Sequence, residues 1–181
     1  MIKNIEYCFK NNKIASFYFN KDDNQVHLTG FVHYFNEDEI LISHITPRGE
    51  YDGYFFNRIS NIYRLDYDGD YEIKIQHLYN FKKQSHPCIE CDENGILFPL
   101  LNYAQNNDLI ISCELQNDKI TGLVNGYDNW IYISVIDDKG KENGVSILDI
   151  DEVITFSCDT DYEQDLKMLS EKTGDGSLSS N

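Results

Sequence analysis

Two stretches of the chain repeat each other in order, and this internal repeat constrains the fold more than any other feature. The segments LTGFV, ILISHITPRGEYDG, ISNI and DYE, ending at Glu72, return as ITGLV, IYISVIDDKGKENG, IDEV and DYE, ending at Glu163. Equivalent residues are 91 positions apart from Ile40 onward and 92 apart around Gly30. Such self-similarity is typical of tandem copies of one fold. The sequence predicts a first unit at residues 1–82, a linker at 83–95, a second unit at 96–172 and a disordered tail at 173–181.

Each unit is predicted to begin and end with a helix and to contain five strands between them. Apolar residues at three- and four-residue spacing indicate the first helix of each copy, near Ile5 and Leu100. The second copy keeps helical spacing after its fifth strand, which favours a helix there in both copies, with Asp70 and Asp161 as caps. Alternating β-branched and aromatic residues predict strands at 14–19, 26–35, 40–45 and 54–59, and at 110–115, 119–127, 131–136 and 145–148.

Glycines inside the predicted strands indicate bending. Gly30 and Gly122 lie within the second strand of each unit, where a glycine marks a sharp bend or a bulge. Before each fifth strand, aliphatic residues recur three positions apart, which predicts a single 3₁₀ turn that tucks two side chains into the core. These pairs are Ile59 with Ile62 and Ile150 with Val153.

A helix followed by five strongly bent strands, with this glycine and this aliphatic pair, resembles the Sm-like (LSm) small barrel. The segment GFVHYFNEDEILI is similar to the first Sm motif at Gly30, Val32, Phe35 and Asn36, and RISNI is similar to the end of the second. SH3-like barrels share much of the pattern. The resemblance covers residues 1–66 and 97–158. It implies a mainly β fold with flanking helices: two tandem small five-stranded bent-sheet barrels, each with an N-terminal and a C-terminal helix.

The Sm-like resemblance also implies RNA binding, through an Asn before the third strand and an Arg-Gly pair before the fifth. This chain has Glu39 or Ile40 at the first position, and Arg58 and Asp149 are each followed by isoleucine. These departures argue against RNA binding by this surface. The resemblance further implies self-association through exposed fourth and fifth strands, because unpaired strand edges can join another chain.

The charge of the chain narrows the class of partner. Thirty-one Asp and Glu against 15 Lys and Arg give a formal net charge of -16, which repels nucleic-acid phosphates and anionic membranes. We therefore expect a basic protein partner. A specific form of this expectation is an acidic decoy or immunity-type protein that neutralises such a partner.

The sequence also suggests where the chain works. Its N-terminal residues show no secretory signal, and no apolar run approaches the length of a transmembrane helix. The five cysteines lack the spacing of a disulfide framework, so we expect free thiols in a reducing cytoplasm.

One local motif in the predicted linker has the residue types of a metal or redox site. It comprises His86, Cys88 and Cys91. A CxxC pair can hold half a zinc site or cycle as a dithiol, but tetrahedral zinc needs four ligands and no second CxxC exists. We expect no metal or cofactor. Two half-sites brought together in a dimer remain the best version of the metal alternative.

Aromatic residues near two predicted hairpin loops are candidates for a recognition patch, although most would also suit two small cores. With the basic residue at the Arg-Gly position, the binding candidates are Tyr51, Tyr54, Arg58, Tyr127 and Trp130. We expect a non-enzymatic protein-interaction or scaffold module. The alternatives are an Sm-like nucleic-acid binder and, third, a metal or thiol-redox protein. Function is expected where the two copies differ and in the linker.

Overall fold

A computed structural model describes residues 1–23, 25, 27–91 and 95–175. The chain divides into two compact units, Met1–Pro99 and Leu100–Asn181. Each is mainly antiparallel β-sheet with helices, as the sequence predicts. Within the described part of the chain, no helix is both long and apolar enough to cross a membrane.

The first unit contains two helices, five strands and a 3₁₀ turn. They are α1 (Ile2–Lys10), β1 (Ile14–Tyr18), β2 (Leu28–Phe35), β3 (Glu39–Ile45), β4 (Tyr51–Arg58), a 3₁₀ turn (Ile59–Asn61), β5 (Arg64–Tyr67) and α2 (Asp70–Phe81). The predicted 3₁₀ turn and final helix are confirmed. The predicted second strand began at residue 26, which lies outside the described residues.

The same elements return in the second unit, and the boundary between units lies in the first turn of α3. They are α3 (Leu97–Asn106), β6 (Ile110–Glu114), β7 (Lys119–Tyr127), β8 (Trp130–Ile136), β9 (Glu142–Asp149), a 3₁₀ turn (Ile150–Glu152), β10 (Thr155–Cys158) and α4 (Asp161–Asp175). Helix α4 extends into the first three residues of the predicted disordered tail, 173–175. The rest of that tail, 176–181, lies outside the described residues.

The strands of the two units pair in the same order and the same register. The first unit has the order β5-β1-β2-β3-β4, and the second has β10-β6-β7-β8-β9. Both second strands are irregular at one place, between Val32 and Tyr34 and between Val124 and Gly126. A side chain at Gly30 would overlap the Ser43 carbonyl, and one at Gly122 would overlap that of Ser134. The two glycines thus allow close approach of the neighbouring strand, as the bend prediction requires.

The prediction of closed five-stranded barrels is wrong. A barrel needs its first and last strands to pair so that no edge remains. In each unit the short 3₁₀ turn places the fifth strand beside the first, and all four residues of β5 and of β10 pair there. Among the described residues, β4 does not pair with β5, nor β9 with β10. The five strands of each unit therefore form an open antiparallel sheet.

The sheet and helices of each unit enclose apolar side chains. In the first unit, α1 contributes Ile5 and Cys8 to a cluster with buried residues of β1 to β3 and of the 3₁₀ turn. A smaller cluster joins α2 to the sheet through Ile75 and Tyr79. In the second unit, Leu166 of α4 packs with two isoleucines, Ile110 and Ile136.

Each unit also buries a glutamate in the first turn of its last helix. Glu72 accepts a hydrogen bond from Ser16 Oγ at 2.5 Å, and Glu163 accepts one from Ser112 Oγ at 2.7 Å. Glu163 also reaches back to the backbone N–H of Thr160, at 2.9 Å, in a capping box.

The predicted capping role of Asp70 and Asp161 is wrong. Helix α2 has Gly69 at its N-cap, and Asp70 is its first helical residue. Asp161 is likewise the first residue of α4, so Thr160 holds the position before it. The acidic residues lie one position too late to cap, although their charges still favour a helix N-terminus.

Candidate functional site

The chain after α2 is fastened across the first unit. This segment, residues 82–91, is called the strap. Lys82 Nζ lies 2.7 Å from Glu50 Oε1, and the Gln84 side chain accepts a hydrogen bond from the backbone N–H of Tyr51 at 3.0 Å. The Tyr54 hydroxyl donates to the carbonyl of Pro87. Most of the predicted linker therefore packs on the first unit, while residues 92–94 of it lie outside the described residues.

His86 is the most constrained residue of the strap. Its Nε2 lies 2.8 Å from the His44 carbonyl oxygen, so this nitrogen carries the proton and donates. Its Nδ1, 2.8 Å from the Tyr79 hydroxyl, then accepts. Burial lowers the pKa of His86 to about 4. The ring is neutral, and both nitrogens are committed to holding the strap.

His33 holds the strap at a second point. Its Nδ1 is 2.9 Å from Ser43 Oγ, and its Nε2 is 3.1 Å from both the backbone nitrogen and the carbonyl oxygen of Ile89. Burial lowers the pKa of His33. One imidazole therefore binds the backbone of a single strap residue, whose own side chain is buried.

The candidate metal ligands do not come together. Cys88 is exposed and Cys91 is partly buried, and neither forms a disulfide bond. No three His, Cys, Asp or Glu side chains in the described ranges converge to hold a metal ion. Because His86 uses both ring nitrogens, it is not available as a ligand in this arrangement. Among the described residues, the predicted alternative of a zinc half-site therefore lacks a third ligand.

A cleft of about 410 Å³ opens beside the strap. It lies between α1, β2 and the end of α2, and is lined by Phe9, Phe31, His33, Tyr79 and His86 among others. Its volume is within the range of small-molecule sites. The described lining contains no Asp, Glu, Lys or Arg, so it offers hydrogen bonds and apolar surface but no formal charge.

The strap crosses a face of β3 and β4 whose side chains are buried. This covered face consists of Leu41, Ser43, Tyr54 and Phe56. Cross-strand pairing sets Ser43 opposite Tyr54 and Leu41 opposite Phe56. Tyr54 is 0% exposed and Phe56 is 2% exposed. Large side chains on this side of the sheet are thus shielded from water.

The corresponding face of the second unit lies open. Cross-strand pairing sets Ser134 opposite Val145 and Tyr132 opposite Ile147, the same register 91 positions later. This open face consists of those four residues and Trp130. Val145 is 65% exposed, Ile147 57% and Trp130 45%. The second unit therefore presents to solvent the apolar positions that the first unit buries.

The polar support beneath the two faces is also matched. Asn125 occupies the position of His33, and its Nδ2 donates to Ser134 Oγ at 2.9 Å, as His33 contacts Ser43 at 2.9 Å. Residues 128–152, the stretch of chain that includes the open face, contain seven Asp and Glu but two Lys. The open face is therefore apolar and belongs to an acidic stretch of the chain, with Asp149 directly opposite Trp130.

The structure separates the five predicted binding residues. Tyr51 and Tyr54 lie under the strap, where the Tyr51 and His86 rings are 4.5 Å apart. Arg58 is exposed at the end of β4, and the Tyr127 hydroxyl donates to Asn102 at 3.3 Å. Of the five, Trp130 alone belongs to the open face.

Sequence reasoning missed two open-face residues, namely Val145 and Ile147. Their signal was present as apolar side chains at alternate positions of β9. Alternation also describes a buried face, however, and their first-unit counterparts are buried. Comparison with protein-family models, with curated proteins and with solved structures finds no match for the chain.

Proposed function

We propose that this protein is a non-enzymatic protein-interaction module that binds a basic partner protein through the open face. The observation that carries the proposal is the exposure of Val145 and Ile147 where their counterparts, Tyr54 and Phe56, are buried. Contiguous exposed apolar side chains with a polar surround are characteristic of interaction surfaces. Burying one such aliphatic side chain contributes about 1.5–3 kcal/mol.

Charge supports a basic partner and the acidic-decoy form of the proposal. The chain carries a net charge of -16, and the stretch of chain that carries the open face is itself acidic. A basic partner would therefore be attracted to this part of the surface. Complementary charge accelerates association and rejects acidic competitors. None of the five cysteines forms a disulfide bond, which supports a reducing, cytoplasmic location.

The fold supports a relationship to Sm-like or SH3-like small barrels, which we propose at the level of the open sheet. Each unit has a helix, five antiparallel strands, a glycine in the second strand and a 3₁₀ turn before the fifth. Strand β9 pairs with β8 along one edge, so its second edge supports the further proposal of self-association through strand edges.

Affinity capture with matched variants tests the proposed function. The immobilised full chain, its Val145→Thr/Ile147→Thr double variant and a Met168→Gln control would be exposed to lysate of the source cell. Met168 is 53% exposed on α4 and is not one of the five open-face residues, so the control removes a similarly accessible apolar side chain. We expect a basic protein that the wild type and the control retain and the double variant loses. If every captured protein binds all three forms equally, the proposal is wrong.

Nucleic-acid binding is the second candidate, and the Sm-like arrangement of elements is the feature that favours it. Binding of labelled single-stranded RNA and DNA at low salt tests it directly. Tight, strongly salt-dependent binding that Arg58→Ala weakens would favour this candidate over a basic protein partner.

A further inference from the structure

We propose that the open face takes an extended, basic peptide segment of the partner, laid across β8 and β9 as the strap is laid across the first unit. This inference rests on the proposed function and specifies which part of the partner binds. The first unit supplies the template, because its matching face is already occupied by a segment of this chain.

The template segment crosses the strands without forming a helix. The strap contacts β4 through Pro87, which accepts from Tyr54, and β2 through Ile89, which contacts His33. Residues 84–91 form neither helix nor turn. The rings of Tyr54 and His33 are 5.3 Å apart, a distance that two residues can span because they reach at most about 7 Å. A non-helical segment of this kind is the template for the occupant of the open face.

Asn125 can bind such a backbone from the position that His33 holds in the first unit. The Nε2 of His33 lies 3.1 Å from both the nitrogen and the carbonyl oxygen of Ile89, and a single ring nitrogen bonds one of the two at a time. Asn125 exchanges one donor and one acceptor with Ser134, at 2.9 and 3.2 Å. A side-chain amide has two N–H groups and two oxygen lone pairs, so one of each remains for a peptide backbone.

The centre of the open face has room for apolar side chains of the occupant. Val145 replaces Tyr54, whose ring and hydroxyl fill the space below Pro87 in the first unit. Valine is smaller than tyrosine and has no hydroxyl. The corresponding volume above Val145 is therefore open to a side chain of the bound peptide. Together with Ile147, it suits an aliphatic residue at the centre of the segment.

The end of the open face near Trp130 suits a cation. Trp130 replaces Glu39, which in the first unit accepts the backbone N–H of Ile96. Asp149 lies directly opposite Trp130 on β9. An Arg or Lys side chain over an indole face gains about 0.5–2 kcal/mol, and the carboxylate adds to this attraction. The same acidic stretch disfavours a second copy of this chain, because a symmetric dimer would place like charges together.

Peptide binding to the full chain tests the proposal. The probe is a peptide as long as the strap, with a central isoleucine, a proline two residues before it and arginines at both ends. Two matched peptides replace the arginines by glutamates or the isoleucine by serine. Fluorescence of Trp130, the one tryptophan in the sequence, reports occupancy of the open face directly.

The expected result is saturable binding of the arginine peptide, weakened at least about tenfold by either peptide change or by Val145→Thr/Ile147→Thr. Asn125→Ala should weaken it about threefold to tenfold, and Met168→Gln should not.

Equal binding of all three peptides, no binding at all, or sedimentation showing a dimer that Ile147→Thr dissociates would overturn the proposal. If a captured partner depends on the open face while the peptide fails, the inference fails and the proposed function stands; a partner insensitive to the open face refutes the function itself.

Discussion

The covered face and the open face have the same strand register but differ in the solvent exposure of their side chains. Tyr54 and Phe56 are buried, whereas Val145 and Ile147, at the same positions of the repeat, are more than half exposed. The strap, which follows the first unit, has no described counterpart on the second. The comparison teaches that the same framework can carry a buried face in one copy and an exposed face in the other.

The largest expected effect comes from truncating one matched pair of side chains. Phe56→Ala should cost about 3–5 kcal/mol of unfolding free energy, because it leaves a cavity at a side chain that is only 2% exposed. Ile147→Ala, 91 positions later, should cost less than about 1 kcal/mol, because its side chain is already largely exposed. Urea denaturation of both variants checks this. Similar losses for the two would mean that the faces are equally covered.

The next effect concerns the buried glutamates. Glu163 accepts from Ser112 and Ser157 Oγ and from both the backbone and the side chain of Thr160, and is 2% exposed. Glu163→Gln would turn an amide N–H toward these donors and should cost about 2–3 kcal/mol. Glu72→Gln should cost less, since Ser16 is its one donor among the described residues.

Denaturation at neutral pH measures both glutamate losses. Glu171→Gln, on the exposed surface of α4, is the control and should leave stability unchanged. A larger loss for Glu72→Gln than for Glu163→Gln would contradict the hydrogen-bond assignment.

The strap should loosen in acid. The pKa of His86 is lowered from 6.5 to about 4 by burial, so an unfolded chain takes up the proton first as pH falls. The contribution of neutral His86 to the unfolding free energy should therefore be fully present above about pH 6.5. It should be lost as pH drops toward 4, which lowers the unfolding free energy by an amount on the order of 1–3 kcal/mol. The open face has no such histidine.

Stability against pH for wild type, His86→Gln and His77→Gln isolates this contribution. His86→Gln should lose that part of the acid dependence, and His77→Gln, exposed on α2, should retain it. An identical slope in all three would show that His86 does not hold the strap in its neutral form.

The smallest effect is expected at the start of the strap. Lys82 forms an ion pair with Glu50 at 2.7 Å, and exposed pairs of this kind contribute little. Lys82→Met should leave the urea midpoint and the protease resistance of the strap unchanged. Release of the strap to protease in this variant would show that its attachment is electrostatic rather than through His33, Tyr54 and His86.

The sequence predicts the local elements well because they depend on local signals. Apolar periodicity places the helices, alternation places the strands, and the spacing of Ile59 and Ile62 places the 3₁₀ turn. Barrel closure could not be obtained this way, because it depends on whether β4 and β5 pair, and neither strand carries a residue that specifies it.

The candidate site was less accessible to sequence reasoning. Trp130 was identified, but Tyr51 and Tyr54 were grouped with it, although they lie beneath the strap. No motif in residues 82–91 predicts that the strap docks, since His86 and Ile89 are held by residues distant in sequence, among them His44 and His33. Which copy of a duplicated face is covered depends on a segment outside the repeat.

Hydroxyl-radical footprinting of the full chain tests the central claim most directly. Modification of each side chain, read by mass spectrometry, is normalised to that in the urea-unfolded chain. The account predicts that Trp130, Tyr132 and Ile147 are modified readily while Tyr54 and Phe56 are protected. Equal protection of the two sets, or modification of Tyr54 and Phe56 as fast as of their second-unit counterparts, would contradict it.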